Sequence, residues 1–309
     1  MNVVSNALSL IGNTRLIALE RVYAGPGRIF AKAEFLQPGG SVKDRAAKAI
    51  IESARERGRL RPGQPVVEMT SGNMGAGLAV VCAVLGHPFI AMMSAGNSPQ
   101  RAHMLEALGA EVVLVPQVDG SPGEVTGADI AAATREAIRI VEERGAFYVD
   151  QFNNADSVRA HEEGTGPELW EQMQGCIDSF VACVGSGGTF VGTARFLKRK
   201  SREIVCAAVE PAGAEVLAGK PVVKARHRLQ GTGYGFAPPH WDATLMDLSI
   251  AVSDAEADEW RQKLARQEGL HVGYSAAANV CAAVRLLESG RIPRDARVST
   301  VLCDTGLKY

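Results

Sequence analysis

The stretch Ser179–Glu210, SFVACVGSGGTFVGTARFLKRKSREIVCAAVE, decides the fold class. Ser179–Val184 is an apolar run of strand length, Gly185–Thr189 is a turn of small residues, and Thr189–Lys200 carries a helical pattern. Glu203–Glu210 then reads as a second strand. The same alternation extends outward in both directions. Upstream, strands at Ile29–Phe35, Pro65–Glu68, Pro88–Met93 and Glu111–Val115 alternate with helices at Val42–Arg57, Gly75–Leu85 and Pro99–Leu108. Helices over Gly127–Glu143 and Ser157–Met173 follow. Downstream come helices at Asp254–Gln267 and Ser275–Leu287 and a strand at Val298–Cys303. Strands and helices joined by short connections form mostly parallel sheets wound by helices, an α/β fold.

Composition narrows the function. A chain of 309 residues with 46% apolar and 22% charged residues is long enough for a sizeable core, or for two domains. Lys plus Arg total 33 against 34 for Asp plus Glu, so no basic excess supports nucleic-acid binding. Glycine is 33 of 309, roughly 11% where about 7% is usual, so glycine is concentrated at particular places. The six cysteines form no C-x-x-C pair, and most lie in apolar stretches, as buried thiols do. The opening MNVVSNALSL lacks a secretory signal, and the apolar stretch Gly77–Met93 is interrupted by His87 and Pro88. A cytoplasmic protein without membrane association is expected. The six histidines show no metal-ligand spacing and read as surface or core-edge residues; no metal is expected.

Three strand-to-helix turns are rich in Gly, Ser and Thr: Gln37–Ser41, Thr70–Gly75 and Gly185–Thr189. Ligands of open α/β sheets sit at the carboxyl ends of strands, and helix N-termini there offer N–H groups to anions. The plainer reading of each turn is a tight bend that needs positive φ. Gly185–Phe190 with Glu210 also resembles a dinucleotide fingerprint, but Phe190 stands where the third glycine belongs. No Walker loop occurs. A single phosphate on Gly185–Thr189 fits better than a pyrophosphate.

Several motifs in order then point to a family. Ile11-Gly-Asn-Thr-Arg-Leu16, Lys32-Ala-Glu-Phe-Leu-Gln-Pro-Gly-Gly-Ser-Val-Lys43-Asp-Arg45 and Thr70-Ser-Gly-Asn-Met-Gly75 resemble segments of the cysteine synthases. Gln151-Phe152, Thr165–Trp170, Gly185–Thr189, Val209-Glu-Pro211, Gln230–Phe236, Gly273-Tyr-Ser275 and Asp304–Tyr309 follow in the same order. The chain resembles the fold-type II pyridoxal-phosphate (PLP) enzymes, in their cysteine synthase and cystathionine β-synthase branch. The resemblance implies two open, mostly parallel twisted sheets wound by helices, tryptophan synthase β-like. It implies a smaller domain at 36–150 carrying the substrate loop, and a larger phosphate-binding domain from 1–35 and 151–309, with the cofactor in the cleft. It also implies a homodimer.

Residue by residue, the resemblance gives Lys43 two tasks: attaching PLP and removing the Cα proton of the substrate. It places the phosphate on Gly185, Ser186, Gly187, Gly188 and Thr189, Asn73 at the ring hydroxyl oxygen, and Ser275 at the pyridine nitrogen. A neutral hydroxyl at that nitrogen favours loss of a β-substituent over a long-lived carbanion. The implied path is elimination to an aminoacrylate, then addition of a nucleophile at Cβ. Thr70, Ser71, Gly72 and Met74 would hold the substrate carboxylate with Gln151, while Gly231 and Tyr234 would line the substrate side.

The chain departs from the family pattern at Arg15, Gln37, Met74, Tyr234 and Ala276-Ala277, and also over Ser94–Ser98. Several of these changes fall where a second substrate would enter. The leading expectation is β-replacement on an activated L-serine, O-acetylserine-like, with sulfide as nucleophile. The alternatives are the same chemistry with a bulkier nucleophile (cystathionine β-synthase-like or diaminopropionate-type), a nucleotide-dependent oxidoreductase built on Gly185–Phe190, and a non-catalytic PLP-binding protein. The expected partners are a small amino acid and a small nucleophile.

Overall fold

The computed structural model describes residues 3–123 and 125–309. In chain order its strands are β1 (Leu16–Leu19), β2 (Arg28–Ala33), β3 (Val66–Met69), β4 (Phe89–Ser94), β5 (Glu111–Val115), β6 (Phe147–Tyr148), β7 (Ser179–Cys183), β8 (Val205–Pro211), β9 (Leu248–Val252) and β10 (Arg297–Leu302). The helices are α1 (Lys43–Glu56), α2 (Asn73–Leu85), α3 (Pro99–Ala107), α4 (Gly127–Arg144), α5 (Asp156–Ala160), α6 (Gly166–Gln172), α7 (Gly188–Lys200), α8 (Asp254–Glu268) and α9 (Tyr274–Glu288).

The chain divides into two compact units. One comprises the N-terminal segment ending at Ile11 together with Gln37–Ser157; the other comprises Gly12–Leu36 and Val158–Tyr309. The first holds a four-stranded parallel sheet in the order β5-β4-β3-β6. The second holds a six-stranded sheet in the order β1-β2-β10-β7-β8-β9, parallel except for the β1–β2 pair. The α/β alternation of the sequence is realised as two mostly parallel sheets with helices.

In the first unit, Ala46, Ala47, Ile50, Ile51 and Ala54 form one apolar stripe on α1. They pack with Leu78, Val81 and Cys82 of α2 and Val66 of β3. The segment ending at Ile11 groups here, not with 12–36, because Leu8 is buried in this core and Lys48 Nζ donates to the Leu8 carbonyl at 3.0 Å. The unit runs on past 150 because Arg57 and Arg59 clamp the buried Asp156 at 3.3 and 3.8 Å.

The second unit buries α9 against β7 and β10 in an alanine- and valine-rich core. Lys32 of β2 is fully buried, which an ammonium tolerates only when paired. Its Nζ meets Glu168 Oε2 at 2.7 Å and donates to the Thr14 carbonyl and Gln172 Oε1, each at 3.0 Å. This network ties the opening motif and α6 to the sheet.

The sequence pattern misses β1, β6 and β9, which are short or lie at sheet edges and are only half buried. The helix expected over Ser157–Met173 is three pieces: α5, a π-helical turn at His161–Thr165, and α6. Pro167 is the cause, since it has no N–H to give to the carbonyl four residues back, and Gly166 N bonds His161 O instead. Burial pushes the Cys82 and Cys206 thiols up to about 12 and Cys281 up to about 11, which makes them inert. Among the described residues no helix is long and apolar enough to cross a membrane, and no group of three metal-ligating side chains occurs.

Candidate active site

In the first unit Thr70–Met74 and Gln151 follow the carboxyl ends of the neighbouring parallel strands β3 and β6, where ligands of such sheets bind. Lys43 is the first residue of α1, half-buried, with its amide donating to Ser41 Oγ at 3.2 Å. The turn before it is pinned by Gly39 N donating to Asp44 Oδ2. Asn73 opens α2, whose Gly77 lies so near α1 that a Cβ there would stand 3.1 Å from Asp44 Cα. The second turn of α2 therefore packs on the first turn of α1, close to Lys43.

The loop Thr70–Gly72 leads from β3 into α2. Thr70 is buried, and its Oγ1 accepts from Gly75 N at 3.1 Å and from Gly72 N at 3.5 Å. Ser71 Oγ accepts from Arg101 at 3.3 Å. Each hydroxyl is used as an acceptor by the protein, which leaves its O–H proton to donate to a ligand oxygen. Gly72, the N-cap of α2, has no side chain to cap the helix, and Thr70 Oγ1 takes the Gly75 N–H, so the anion-directed donors of the first turn are the N–H groups of Asn73 and Met74. Met74 sits in that turn, but its side chain is buried in the core of the unit, so only its backbone can face a ligand. Gln151 follows β6 and donates its amide to Glu68 Oε2 at 3.3 Å, while Asp150 before it adopts φ 50°.

Glu68 and Arg101 are residues the sequence reading passed over. A carboxylate closing an otherwise apolar strand was the available signal for the first. Burial pushes the Glu68 carboxyl up to about 8, and the neighbouring Asp150 adds to the rise while the Gln151 amide opposes it. A folded value above the unfolded one means the stability Glu68 contributes is complete below the ordinary carboxyl range and is lost as pH rises through about 8. Glu68→Gln, which cannot ionise, is expected to match the wild type near pH ~4 and to exceed it by about 3–5 kcal/mol near pH ~9. Thermal unfolding at both pH values checks this.

In the second unit, β7 runs into Gly185–Thr189 and α7. Gly187, the N-cap of α7, takes φ 93°, a left-handed conformation open to glycine. No side chain caps α7, and its first turn holds no acidic residue. A Cβ on Gly185 would lie 2.1 Å from the Gly231 carbonyl oxygen, so the two loops touch through backbone. Gly231 and Tyr234 belong to the second loop, held by Gly233 N to Val184 O at 3.3 Å and by Thr232 Oγ1 to Leu229 O at 2.6 Å. Tyr234 is 42% exposed and stacks on Phe236, with ring centroids 6.0 Å apart.

Ser275 lies in the first turn of α9, nearly buried, with its carbonyl receiving the Cys183 thiol. One turn on, the fully buried Asn279 accepts from Cys183 N at 2.7 Å and donates to Val301 O at 2.8 Å, fixing α9 to β7 and β10. The turn into α9 is tight, because a Cβ on Gly273 would meet Asp304 Oδ1 at 2.1 Å. Asn279 was not singled out in the sequence, and His161, read there as a surface or core-edge histidine, is buried, with its Nδ1 bonded to Thr165 four residues on.

The nucleotide reading fails on this geometry. Phe190 is fully buried, with ring centroids 6.0 Å from Phe180 and 5.4 Å from Trp241, filling the contact a third glycine would keep close. Glu210, the supposed ribose partner, is buried and accepts from Leu217 N, Ala218 N and Ser249 Oγ at 2.7, 3.1 and 2.7 Å.

Comparison with known proteins agrees with the motifs. The model of the family described as "pyridoxal-phosphate dependent enzyme" matches residues 7–304. Cysteine synthase of Staphylococcus aureus is 37% identical over 308 residues, 99% of this chain and 95% of that protein. The crystal structure of O-acetylserine sulfhydrylase isoform 3 from Entamoeba histolytica superposes with a TM-score of 0.91 at 31% identity, covering 100% of this chain and 90% of that one. That of an O-acetylserine-dependent cystathionine β-synthase from Helicobacter pylori gives a TM-score of 0.88 at 32% identity, covering 100% and 98%. The chain belongs to the family of pyridoxal-phosphate dependent enzymes, and pyridoxal 5'-phosphate is its cofactor.

Proposed function

We propose that this enzyme catalyses β-replacement on O-acetyl-L-serine, with sulfide as the nucleophile and L-cysteine and acetate as products. The observation that carries the reading is the donor set of Thr70–Met74 in the same unit as Lys43: two hydroxyl protons and the N–H groups at the start of α2, suited to an amino-acid carboxylate. The names of the relatives support it.

The residues fit PLP. Gly185–Thr189 supplies a cradle that a Cβ would fill, at the start of a helix with neither a side-chain cap nor an acidic first turn, as a phosphate requires. Ser275 is a neutral group for the pyridine nitrogen, and Asn73 an amide for the ring hydroxyl oxygen. When bound, PLP supplies an electron sink that weakens the bonds at Cα and Cβ of an attached amino acid. Lys43 would hold the cofactor covalently, and its amine, once free, would take the Cα proton. Thr70, Ser71 and the N–H groups from Gly72 to Met74 bind the carboxylate together with Gln151. Acetate leaves from Cβ, sulfide adds there, and the Lys43 ammonium returns the proton to Cα. Gly231 and Tyr234 border the substrate side.

A second reading keeps the elimination and takes a bulkier nucleophile. The exposed Tyr234–Phe236 stack favours it, since an aromatic wall suits a carbon chain better than it suits sulfide. The experiment is to supply O-acetylserine to the PLP-loaded enzyme with sulfide, homocysteine or a diamine in turn, and to measure acetate release and the new amino acid. Cysteine is expected to form fastest. Faster turnover with homocysteine or the diamine selects the second reading, and no acetate release with any nucleophile overturns both. A homodimer in the cytoplasm completes the proposal, on the family resemblance.

A further inference from the structure

Behind the phosphate loop lies a buried imidazole that the reaction as written does not use. His161 is 1% exposed and begins the π-helical turn at His161–Thr165. Its Nδ1 lies 2.9 Å from Thr165 Oγ1, and its Nε2 lies 3.3 Å from Thr189 Oγ1 in the loop itself. Thr165 is fully buried. The turn seats directly on α7: a Cβ on Gly192 would come within 2.3 Å of Val158 O and 2.8 Å of Glu162 N and His161 Cβ. Glu162 pairs with Arg195 at 3.2 Å and with Arg199, locking the same turn to the outer side of α7.

The direction of the chain of hydrogen bonds follows from what an anion demands. A phosphate accepts, so the Thr189 hydroxyl must give its proton to it and must accept in turn from the protein. His161 supplies that donor when Nε2 is protonated, as in the neutral Nε2–H tautomer. Nδ1 then carries a lone pair, and the Thr165 hydroxyl, 2.9 Å away, donates to it. Thr165 thus supports the Nε2–H tautomer by donating to Nδ1, His161 sets the rotamer of Thr189, and Thr189 presents its proton to the ligand.

We propose that His161 is a positioning residue that orients the Thr189 hydroxyl toward the cofactor phosphate and so sets how tightly that phosphate is held. The inference rests on the assignment of Gly185–Thr189 to the phosphate.

The test titrates PLP into the PLP-free enzyme and records the 31P resonance of the bound cofactor, for wild type, His161→Leu, His161→Gln, Thr165→Val, Thr189→Val and the double variant His161→Leu with Thr189→Val. His161→Leu and Thr165→Val are expected to weaken binding about tenfold and about threefold, and to shift the phosphorus resonance. Glutamine places an amide donor near Nε2 and is expected to restore most of the affinity. On the Thr189→Val background, loss of His161 is expected to cost nothing further. An equal loss with and without the Thr189 hydroxyl would reduce His161 to a packing residue and overturn the proposal. So would unchanged affinity and resonance in Thr165→Val, a variant small enough to keep the fold. Wild type that binds PLP while the variants match it defeats this inference alone, whereas wild type that binds no PLP defeats the phosphate assignment beneath it.

Discussion

Lys43→Ala is expected to lower turnover of O-acetylserine at least a thousandfold and to remove the visible absorption band of lysine-attached PLP. On the proposed roles the substitution takes away both the amine that holds the cofactor and the base at Cα, and a positioned acid–base group alone is worth about 10²–10⁴ in rate. The fold should tolerate it. Lys43 begins α1, alanine is the best helix former, and the neighbouring turn is held by backbone and Asp44 contacts that the change leaves alone. Activity and spectrum can therefore be compared at matched stability, by circular dichroism beside the absorption scan. An unaltered band with wild-type acetate release would remove Lys43 from the chemistry and with it the reading of the whole turn.

Gly185→Ala is expected to weaken PLP binding about a hundredfold. The methyl carbon would stand 2.1 Å from the Gly231 carbonyl oxygen, a backbone atom that cannot rotate away. Nor can the Gly231 loop retreat cheaply. It is tied to β7 by Gly233 N to Val184 O, and a Cβ on Gly233 would lie 2.5 Å from Pro211. The Gly185–Thr189 turn must move instead, which displaces its N–H groups from any anion, and forcing extra volume into a packed contact costs about 1–3 kcal/mol of stability besides. Gly127→Ala is the control: nothing lies within 4 Å of its Cβ, it opens α4, and alanine there should be neutral or slightly stabilising. PLP titration with thermal unfolding of both variants separates a site effect from a general one. Equal affinity in Gly185→Ala would mean the turn does not hold the phosphate.

Where sequence reasoning succeeded and where it stopped have a common physical basis. The strand at Glu111–Val115 and the limits of α4 and α8 are legible because apolar period, Thr126 and Ser253 caps, and glycine stops all act within a few residues. The edge strand β9 and the two-residue β6 carry no such signal, since pairing with a distant strand creates them. The break at His161–Thr165 was readable in principle from Pro167, but a helical pattern on both sides concealed it.

The candidate site divides in the same way. The sequence by itself determined the α/β alternation, the Gly, Ser and Thr turns at strand ends, and the ordered motifs that place the chain in its family, because these are properties of local spacing and residue type. Only the tertiary structure decided that the Met74 side chain enters the core, that Glu210 caps backbone amides, and that Thr70 and Ser71 accept hydrogen bonds from the protein. The same holds for the link between His161 and Thr189. Hydrogen-bond direction and burial depend on which distant segments meet, and most of those contacts have no trace in neighbouring residues.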